Sequence, residues 1–433
     1  MSVFELTDDP EALTQFIFRC RDREVRAEAL LDCLDMVSQA PADRYPKNSR
    51  YGLLLALGEY SLEKEIPHAR REALVAQLVD WYRHDPSSGV HGASGWLLRH
   101  WGQTEIARQV DQTPVPYTDG CEWFTLAIPV LASKSQDSTP QNFYYTFIMF
   151  SGGDYEIGSP HDEPDRDKDE PRHKVKITQP FAILDREITL AELIAFDAES
   201  YSNSMAQFEA QPADAGFGVD WYDLVCFCRW LSLQSGFSEA SQSYADPADL
   251  DKNSEGNPKN WPLVLGKRGF RLPTETEWEV ASRAGARTSY GFGSDTSLLG
   301  QFGWFLENSG KHVHPPRELR PSLRGVFDQH GNVYEWTHDR FADYELGEAV
   351  DPQGALSGST RVIRGGGWAG DAAYGRVANR HASAPARRTN VFGFRVALSP
   401  SGASSPEEGP VQRAEPLGGG TEGAPAEQRP ELP

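Results

Sequence analysis

Nine residues near the middle of the chain decide how the rest of it folds: Arg271-Leu272-Pro273-Thr274-Glu275-Thr276-Glu277-Trp278-Glu279. The arginine and the glutamates of this segment lie beside a proline and a tryptophan, and no two charged residues are adjacent in the sequence. Charged groups in such company predict partly buried ion pairs and hydrogen bonds to the backbone. Glu335, Arg364 and Arg395 lie in similar surroundings. We therefore expect contacts of this kind to hold irregular loops together.

Outward from this segment, residues 144–398 are rich in Gly, Trp and Phe and contain few long periodic helices. This composition predicts short strands and loops that surround aromatic side chains. One large ring can bury roughly 200 Å², so tryptophans can build a core where an extended sheet is missing. The tryptophans expected to do so are Trp221, Trp230, Trp278, Trp304, Trp336 and Trp368.

Residues 1–112 predict a separate helical domain. Apolar residues recur there at three- and four-residue spacing, as on one face of a helix. Segments 48–58 and 88–98 resemble each other in having a small or polar lead-in and an apolar run. They are offset by about 40 residues, which is close to the period of HEAT-type helical repeats. We therefore expect a short helical domain of HEAT-like character.

Two further stretches differ in composition from their neighbours. Residues 113–143 combine short strand-like pieces with a polar run and predict a linker or strand insertion. Residues 399–433 consist mainly of Ser, Gly, Pro, Ala and Glu. Such a composition buries too little apolar surface to order itself, so this tail is expected to be disordered.

The charge balance excludes several classes of function. The chain has 42 Lys and Arg and 63 Asp and Glu, which gives a formal charge of −21. It therefore has no electrostatic basis for binding the phosphate backbone of a nucleic acid. No apolar run reaches the roughly 18 residues of a membrane helix. The start, Met1-Ser2-Val3-Phe4-Glu5, lacks the layout of a secretory signal. We expect a soluble, cytoplasmic protein that binds neither nucleic acid nor membrane.

Eight short motifs resemble, in order, those of the formylglycine-generating enzyme (sulfatase-modifying factor) family. The order and the length of the match, about 250 residues, make the resemblance specific. The motifs are Gly153-Asp154-Tyr155-Glu156-Ile157-Gly158-Ser159-Pro160, Asp169-Glu170-Pro171-Arg172-His173-Lys174-Val175, Glu187-Ile188-Thr189, Val219-Asp220-Trp221-Tyr222-Asp223, 271–279, Asp328-Gln329-His330-Gly331-Asn332-Val333-Tyr334-Glu335-Trp336, Arg361-Val362-Ile363-Arg364-Gly365-Gly366-Gly367-Trp368 and Gly393-Phe394-Arg395.

The resemblance implies the fold class. Residues 144–398 should adopt the family's variant of the C-type lectin fold, with little regular secondary structure. With the helical domain in front, the whole chain is expected to be α+β. A looser resemblance links this arrangement to modular bacterial proteins that carry such a domain beside helical repeats.

The resemblance also implies where catalysis would occur. Founding members of the family bind copper(I) through two cysteines that follow the Gly-Gly-x-aromatic motif, and that metal requires soft thiolate ligands. Here the two positions hold Gly370 and Gly375. The remaining cysteines are odd in number and scattered, which predicts free thiols and no disulfide framework. Neither copper nor formylglycine formation is therefore expected.

A calcium site is expected at Asp328, Gly331, Val333 and Glu335. Two carboxylates and two carbonyls within eight residues form an oxygen-only set suited to a hard cation, and the matching family positions bind calcium. The alternative is a carboxylate that caps a turn. A second family calcium site would begin near Asn308, but residues 308–314 supply no carboxylate and do supply positive charge.

Iron chemistry of the kind found in ergothioneine-type relatives uses a His-x-x-x-His-x-Glu motif on a separate helical bundle. This chain contains no such motif. The short His161-Asp162-Glu163 opens a segment, 161–170, that holds six acidic residues and is expected to be a solvated loop.

A binding surface is expected between Gly365 and Gly393, where the loops of this fold shape the ligand pocket. Aromatic and arginine side chains recur at binding hot spots. The alternative is that the arginines are solvated or form internal ion pairs. The residues expected to bind ligand are Trp368, Asp371, Tyr374, Arg376, Asn379, Arg380 and His381, with Arg387 and Arg388 nearby.

Three functions remain open on the sequence. The first is a non-catalytic module that binds a protein or peptide ligand, as in the family's subgroup of retroelement-diversified variable proteins. The second is an oxygen- or iron-dependent enzyme of the wider family with a different active site. The third is a scaffold that acts through its helical domain.

Overall fold

The computed structural model describes residues 9–41, 43–130, 140–344 and 347–400. Its N-terminal part consists of helices, as the spacing of apolar residues predicts. Asp9 caps the first helix by accepting a hydrogen bond from the backbone of Ala12, and Ser87 caps the fifth through Val90. The helices are α1 Pro10–Asp22, α2 Ala27–Gln39, α3 Ser49–Leu57, α4 His68–His84, α5 Ser88–His100 and α6 Thr104–Asp111.

These helices pack in pairs, α2 on α3 and α4 on α5, and α3 lies against α5. The two similar segments of the sequence are thus largely α3 and α5. HEAT-type character itself stays a prediction. No helix in the described ranges is long and apolar enough to cross a membrane.

The remainder of the chain mixes short strands with four helices, so α+β is confirmed. The elements are β1 Trp123–Val130, β2 Gln141–Phe150, β3 Gly153–Ile157, β4 His173–Ile177, β5 Phe181–Leu184, α7 Leu190–Phe196, α8 Ala198–Gln207, α9 Trp221–Gln234, α10 Glu275–Arg283, β6 Tyr334–Arg340, β7 Ala349–Val350, β8 Arg361–Arg364, β9 His381–Ser383, β10 Phe392–Gly393 and β11 Ala397–Leu398. The sheets run β1-β2-β5-β11, β10-β6-β8-β9 and β3-β4-β7.

The interval 113–143, predicted as a linker or strand insertion, contains strand β1 and the first residues of β2, both in the first sheet. Strand β1 pairs antiparallel with β2, with Trp123 opposite Ile148, and the expected boundary at residue 143 falls inside β2. The sequence pattern places the boundary too late because its polar run, 133–138, lies between two paired strands; that run is outside the described residues. The expected tail also lies outside them from residue 401 onward.

Helix α10 carries the ion pairs that its sequence predicts, and they are fully buried. The guanidinium of Arg271 donates two hydrogen bonds to Glu277, at 2.6 and 2.7 Å. Arg380 donates two to Glu275, at 2.7 and 2.8 Å. Burial alone would raise the pKa of Glu275, but Arg380 and Arg364 hold that pKa below its usual value.

Glu279 completes this set by pairing with both Arg283 and Arg364. Its Oε1 also accepts a hydrogen bond from the backbone N–H of Gly158, at 2.6 Å. One helix of nine residues thus fixes segments that are far apart in the chain. Three of the six tryptophans, Trp221, Trp278 and Trp336, are completely buried, and Trp278 belongs to this helix.

The helical segment is joined to the rest of the protein by residues 317–327. Leu323 and Phe327 belong to the apolar core of the helices. The guanidinium of Arg320 lies 4.8 Å from the ring centres of both Phe18 and Trp96. Arg317 pairs with Asp185 beyond β5, at 2.6 Å. The helices and the sheets therefore share one interface, part apolar and part ionic.

Replacing Gly92 of α5 with alanine tests this interface. Helix propensity alone predicts a gain of up to about 1 kcal/mol. A Cβ at Gly92, however, would lie 2.8 Å from the Cα of Gly325. We expect Gly92→Ala to lower the free energy of unfolding by about 1–3 kcal/mol, measured by urea denaturation. Gly153→Ala, where the nearest atom is 3.8 Å away, is the control; a stabilised Gly92→Ala would contradict the close approach.

Acid should weaken the same interface through His91, which stacks on Trp123 of β1 at 3.7 Å. Burial lowers the pKa of His91 to about 3, so the unfolded chain binds a proton that the folded chain refuses between pH 6.5 and 3. We expect this residue to cost about 2 kcal/mol of stability between pH 7.5 and 5.0. Denaturation of the native chain and of His91→Phe at both pH values isolates this share, and equal losses would contradict it.

Candidate functional site

A tight turn after β8 shapes the candidate site. Gly365 and Gly366 have φ of 92° and 74°, a region that favours glycine. A Cβ at Gly366 would lie 3.0 Å from the backbone N of Gly375. The turn thus brings the segment that contains Trp368 against the short helical turn Ala372–Gly375.

Gly370 and Gly375 lie within this turn, and aromatic groups fill the space beside the first. A Cβ on Gly370 would be 3.2 Å from Cδ2 of Tyr374 and 3.3 Å from the hydroxyl of Tyr334. A Cβ on Gly375 would be 3.1 Å from the carbonyl oxygen of His330. These distances are shorter than an ordinary van der Waals contact, so a side chain at either position would require its neighbours to shift by a few tenths of an ångström.

Tyr334, Tyr374 and His381 form an aromatic cluster at this turn. Both tyrosine rings meet His381 edge-on, with ring centres 5.3 and 5.0 Å from it. Burial and the nearby Tyr374 and Asp371 raise the pKa of Tyr334, and burial lowers the pKa of His381. Tyr374 is 37% exposed, and Asp371 is exposed at the edge of the cluster.

Beside this cluster, the half-buried ring of Trp368 lines a groove of about 350 Å³. The indole N–H donates to the carbonyl of Asn390, at 3.0 Å, which fixes the ring. Phe208 and Phe217 form an apolar part of the groove wall, and Lys311 and Asp214 add one positive and one negative side chain to its lining. Phe208 and Phe217 were not expected from the sequence, because they belong to no recognisable motif.

Three of the residues expected to bind ligand are buried instead. Arg376, Asn379 and Arg380 are 2%, 2% and 4% exposed. Arg380 is held by Glu275 and lies 3.8 Å from the ring centre of Tyr344. Internal ion pairs, the alternative that the sequence left open, describe the two arginines. The residues that remain at or near the surface are Trp368, Asp371, Tyr374 and His381.

The acidic segment 161–170 also needs correction, because it is not simply a solvated loop. Its Glu163 and Glu170 are buried and accept hydrogen bonds from Arg376, at 2.7 and 2.8 Å. Asp167 accepts a third from Asn379, at 3.2 Å. The segment therefore holds the stretch between Tyr374 and His381 in place, through hydrogen bonds to Arg376 and Asn379 some 210 positions later.

Comparison with known proteins identifies the domain. Residues 133–400 match the model of the sulfatase-modifying factor enzyme 1-like domain. The chain belongs to this family. It is 29% identical over 283 residues to the formylglycine-generating enzyme of Streptomyces coelicolor, covering 58% of this chain and 88% of the relative. It is 26% identical over 301 residues to that of Thermomonospora curvata, covering 60% and 96%.

A solved structure extends the comparison to the fold. Treponema denticola variable protein 1 superposes with a TM-score of 0.53 at 27% identity. The match covers 64% of this chain and 99% of that protein. The sulfatase-modifying factor fold that the motifs imply is therefore confirmed.

The calcium that this family implies does not fit the four expected residues. Arg395 donates to both carboxylate oxygens of Glu335, at 2.7 Å from Nε, and Trp278 donates to the same group. Asp328 accepts a hydrogen bond from the backbone of Arg317. A calcium shell would require Glu335 to leave its guanidinium, so we assign no calcium to Asp328, Gly331, Val333 and Glu335.

The other metal candidates give no stronger site. Asn308 caps a turn, accepting from the backbone of Phe305 and donating to the carbonyl of Gly303. His161 is exposed. Within the residues that the structure describes, no group of three His, Cys, Asp or Glu side chains is placed to hold a metal ion.

Substituting Arg376 tests whether its side chain stabilises the segment 161–170 through buried ion pairs or belongs to the exposed binding surface. Arg376→Gln leaves Glu163 and Glu170 buried without their cation, and breaking such a pair typically costs about 3–5 kcal/mol. We expect a loss of that size in the free energy of unfolding, by urea denaturation. Arg387→Gln is the matched control, because Arg387 is exposed and should change stability by less than about 0.5 kcal/mol. Similar small effects for both variants would show that Arg376 is a surface residue.

Proposed function

We propose that this chain binds a protein or peptide ligand on the face around Gly370 and does not carry out the copper-dependent oxidation of its relatives. The observation that carries the proposal is the pair of glycines, Gly370 and Gly375, at the positions where the family has thiols. The tyrosine ring and hydroxyl beside Gly370 lie 3.2 and 3.3 Å from where a Cβ would be, so a side chain there would require them to shift.

The cysteines that the chain does have are poor substitutes. All five are free thiols, and burial raises the pKa of Cys20 and of Cys226 to about 11. A thiol must lose its proton to bind copper(I) or to attack a substrate. Cys228, on α9, is completely buried among apolar side chains. These thiols therefore remain protonated at neutral pH.

Exposed apolar side chains support binding at the same face. Phe208, Leu306 and Tyr374 are 43%, 44% and 37% exposed. The backbone of Leu306 donates to the carbonyl of Gly370 at 2.9 Å, while Phe208 lines the groove with Trp368. Exposed apolar side chains with the charged groups of Lys311 and Asp214 beside them suit a protein or peptide partner. A HEAT-like helical domain and a cytoplasmic location remain predictions that accompany this proposal.

The first test is chemical. We expect no oxygen uptake and no formylglycine when the purified chain is incubated with copper(I), a thiol reductant and a cysteine-containing sulfatase peptide. The formylglycine-generating enzyme of Streptomyces coelicolor serves as the positive control. Elemental mass spectrometry on the same sample measures bound metal. Stoichiometric copper or iron together with turnover would overturn the proposal and favour an oxygen-dependent enzyme.

The second test concerns the surface. Peptides selected from a phage-displayed random library against the full chain should bind Trp368→Ala and Tyr374→Ala at least tenfold more weakly, because both rings are anchors in the proposed face. Titration calorimetry with the selected peptides measures the change. Leu356→Ala is the control, since Leu356 is a fully exposed apolar side chain outside the groove. Unchanged binding to both ring variants would place the ligand elsewhere.

A further inference from the structure

A second cavity, of about 250 Å³, lies where the helical segment meets the first sheet. Tyr82 of α4 and His91 of α5 form one wall, and Trp123 of β1 another. Residues 113–116, which run from the last N-terminal helix toward β1, line its edge. The cavity is thus separate from the face around Gly370.

His91 gives this cavity a hydrogen-bond acceptor. The ring is 4% exposed and stacks on Trp123. Its Nδ1 donates to the carbonyl of Tyr82, at 2.8 Å, and because burial lowers the pKa of His91 to about 3, the ring is neutral. Nε2 is then left as an acceptor, and no described residue donates a hydrogen bond to it.

The carboxylate and the threonine hydroxyls of the cavity have partners within the protein. Asp111 lies in its lining, but the carboxylate is held by Arg99 at 2.7 Å and by the hydroxyl of Tyr82. The hydroxyls of Thr125 and Thr146 bond to each other, at 3.0 Å. Arg83 and His84 also line the cavity, half-buried and exposed respectively, and the residues Val110, Pro114, Val115 and Pro116 make most of the remaining lining apolar. This environment favours a neutral ligand over an ion.

Volume limits the size of the ligand. An engineered apolar cavity of roughly 150 Å³ binds benzene, so about 250 Å³ leaves room for a fused two-ring molecule. Flat walls from Trp123 and two prolines suit an aromatic ring. We propose that this cavity is a binding site for a small, neutral aromatic molecule that donates one hydrogen bond to Nε2 of His91.

Such a ligand would touch α4, α5 and both strands of the hairpin β1-β2 at once. Its binding would therefore favour the docked arrangement of the helical segment, since a ligand that binds only the folded interface stabilises it by mass action. The site does not depend on the proposed function at the Gly370 face, and either can fail without the other.

The test uses two probes that differ in one group. Indole and benzofuran have nearly the same shape, but only indole carries an N–H donor. Titration calorimetry on the full chain should show saturable binding of indole, about five- to tenfold tighter than that of benzofuran, as expected for one hydrogen bond. Absence of saturable binding, or equal affinity for the two probes, would overturn the proposal.

Two substitutions locate the site. Val115→Trp should fill the cavity and abolish binding of both probes, because the backbone of Val115 pairs with Thr125 and holds the new side chain at the cavity edge. Val264→Trp, on an exposed valine outside the cavity, is the control and should bind as the native chain does. His91→Phe keeps an aromatic ring against Trp123 and should lose only the preference for indole. If Val115→Trp bound indole as well as the native chain does, the site would lie elsewhere.

Discussion

The irregular part of this protein depends on the buried ion pairs of α10. Three glutamates on one helix of nine residues face arginines from different parts of the chain. Removing these charges from water costs several kcal/mol each unless every oxygen finds a donor. The pairs therefore require one particular arrangement of the chain, and they contribute little to its net stability. This requirement fixes the positions of loops that have few sheet-type backbone hydrogen bonds of their own.

The same constraint explains the shape of the candidate site. Arg376 and Arg380 come from the stretch that forms the site, yet both are turned inward to Glu163, Glu170 and Glu275. With the basic groups satisfied inside, the surface is left to Trp368 and to smaller polar and aromatic side chains. The face accordingly combines exposed rings with the charged side chains Asp371, Asp214 and Lys311.

The sequence was informative where the signal was local and ordered. The motif order predicted the fold, and the neighbours of Glu275 and Glu277 predicted buried ion pairs before any partner was known. The sequence was not informative about which carboxylate pairs with which arginine. The carboxylates that bury Arg376 lie some 210 residues earlier, and no local pattern separates a paired arginine from a solvated one. The hairpin of β1 and β2 was split for a similar reason, because a polar run between strands reads like the end of a domain.

The interface made by residues 317–327 bears on how such proteins are built. A loop that belongs to the family domain supplies Leu323 and Phe327 to the core of the helices, and Gly325 lets two backbones meet without side chains between them. A substitution at these positions in the loop or in the helices would therefore alter the contact between the two. The contacts of this loop therefore extend beyond the stretch that matches the family, residues 133–400, into the core of the helices.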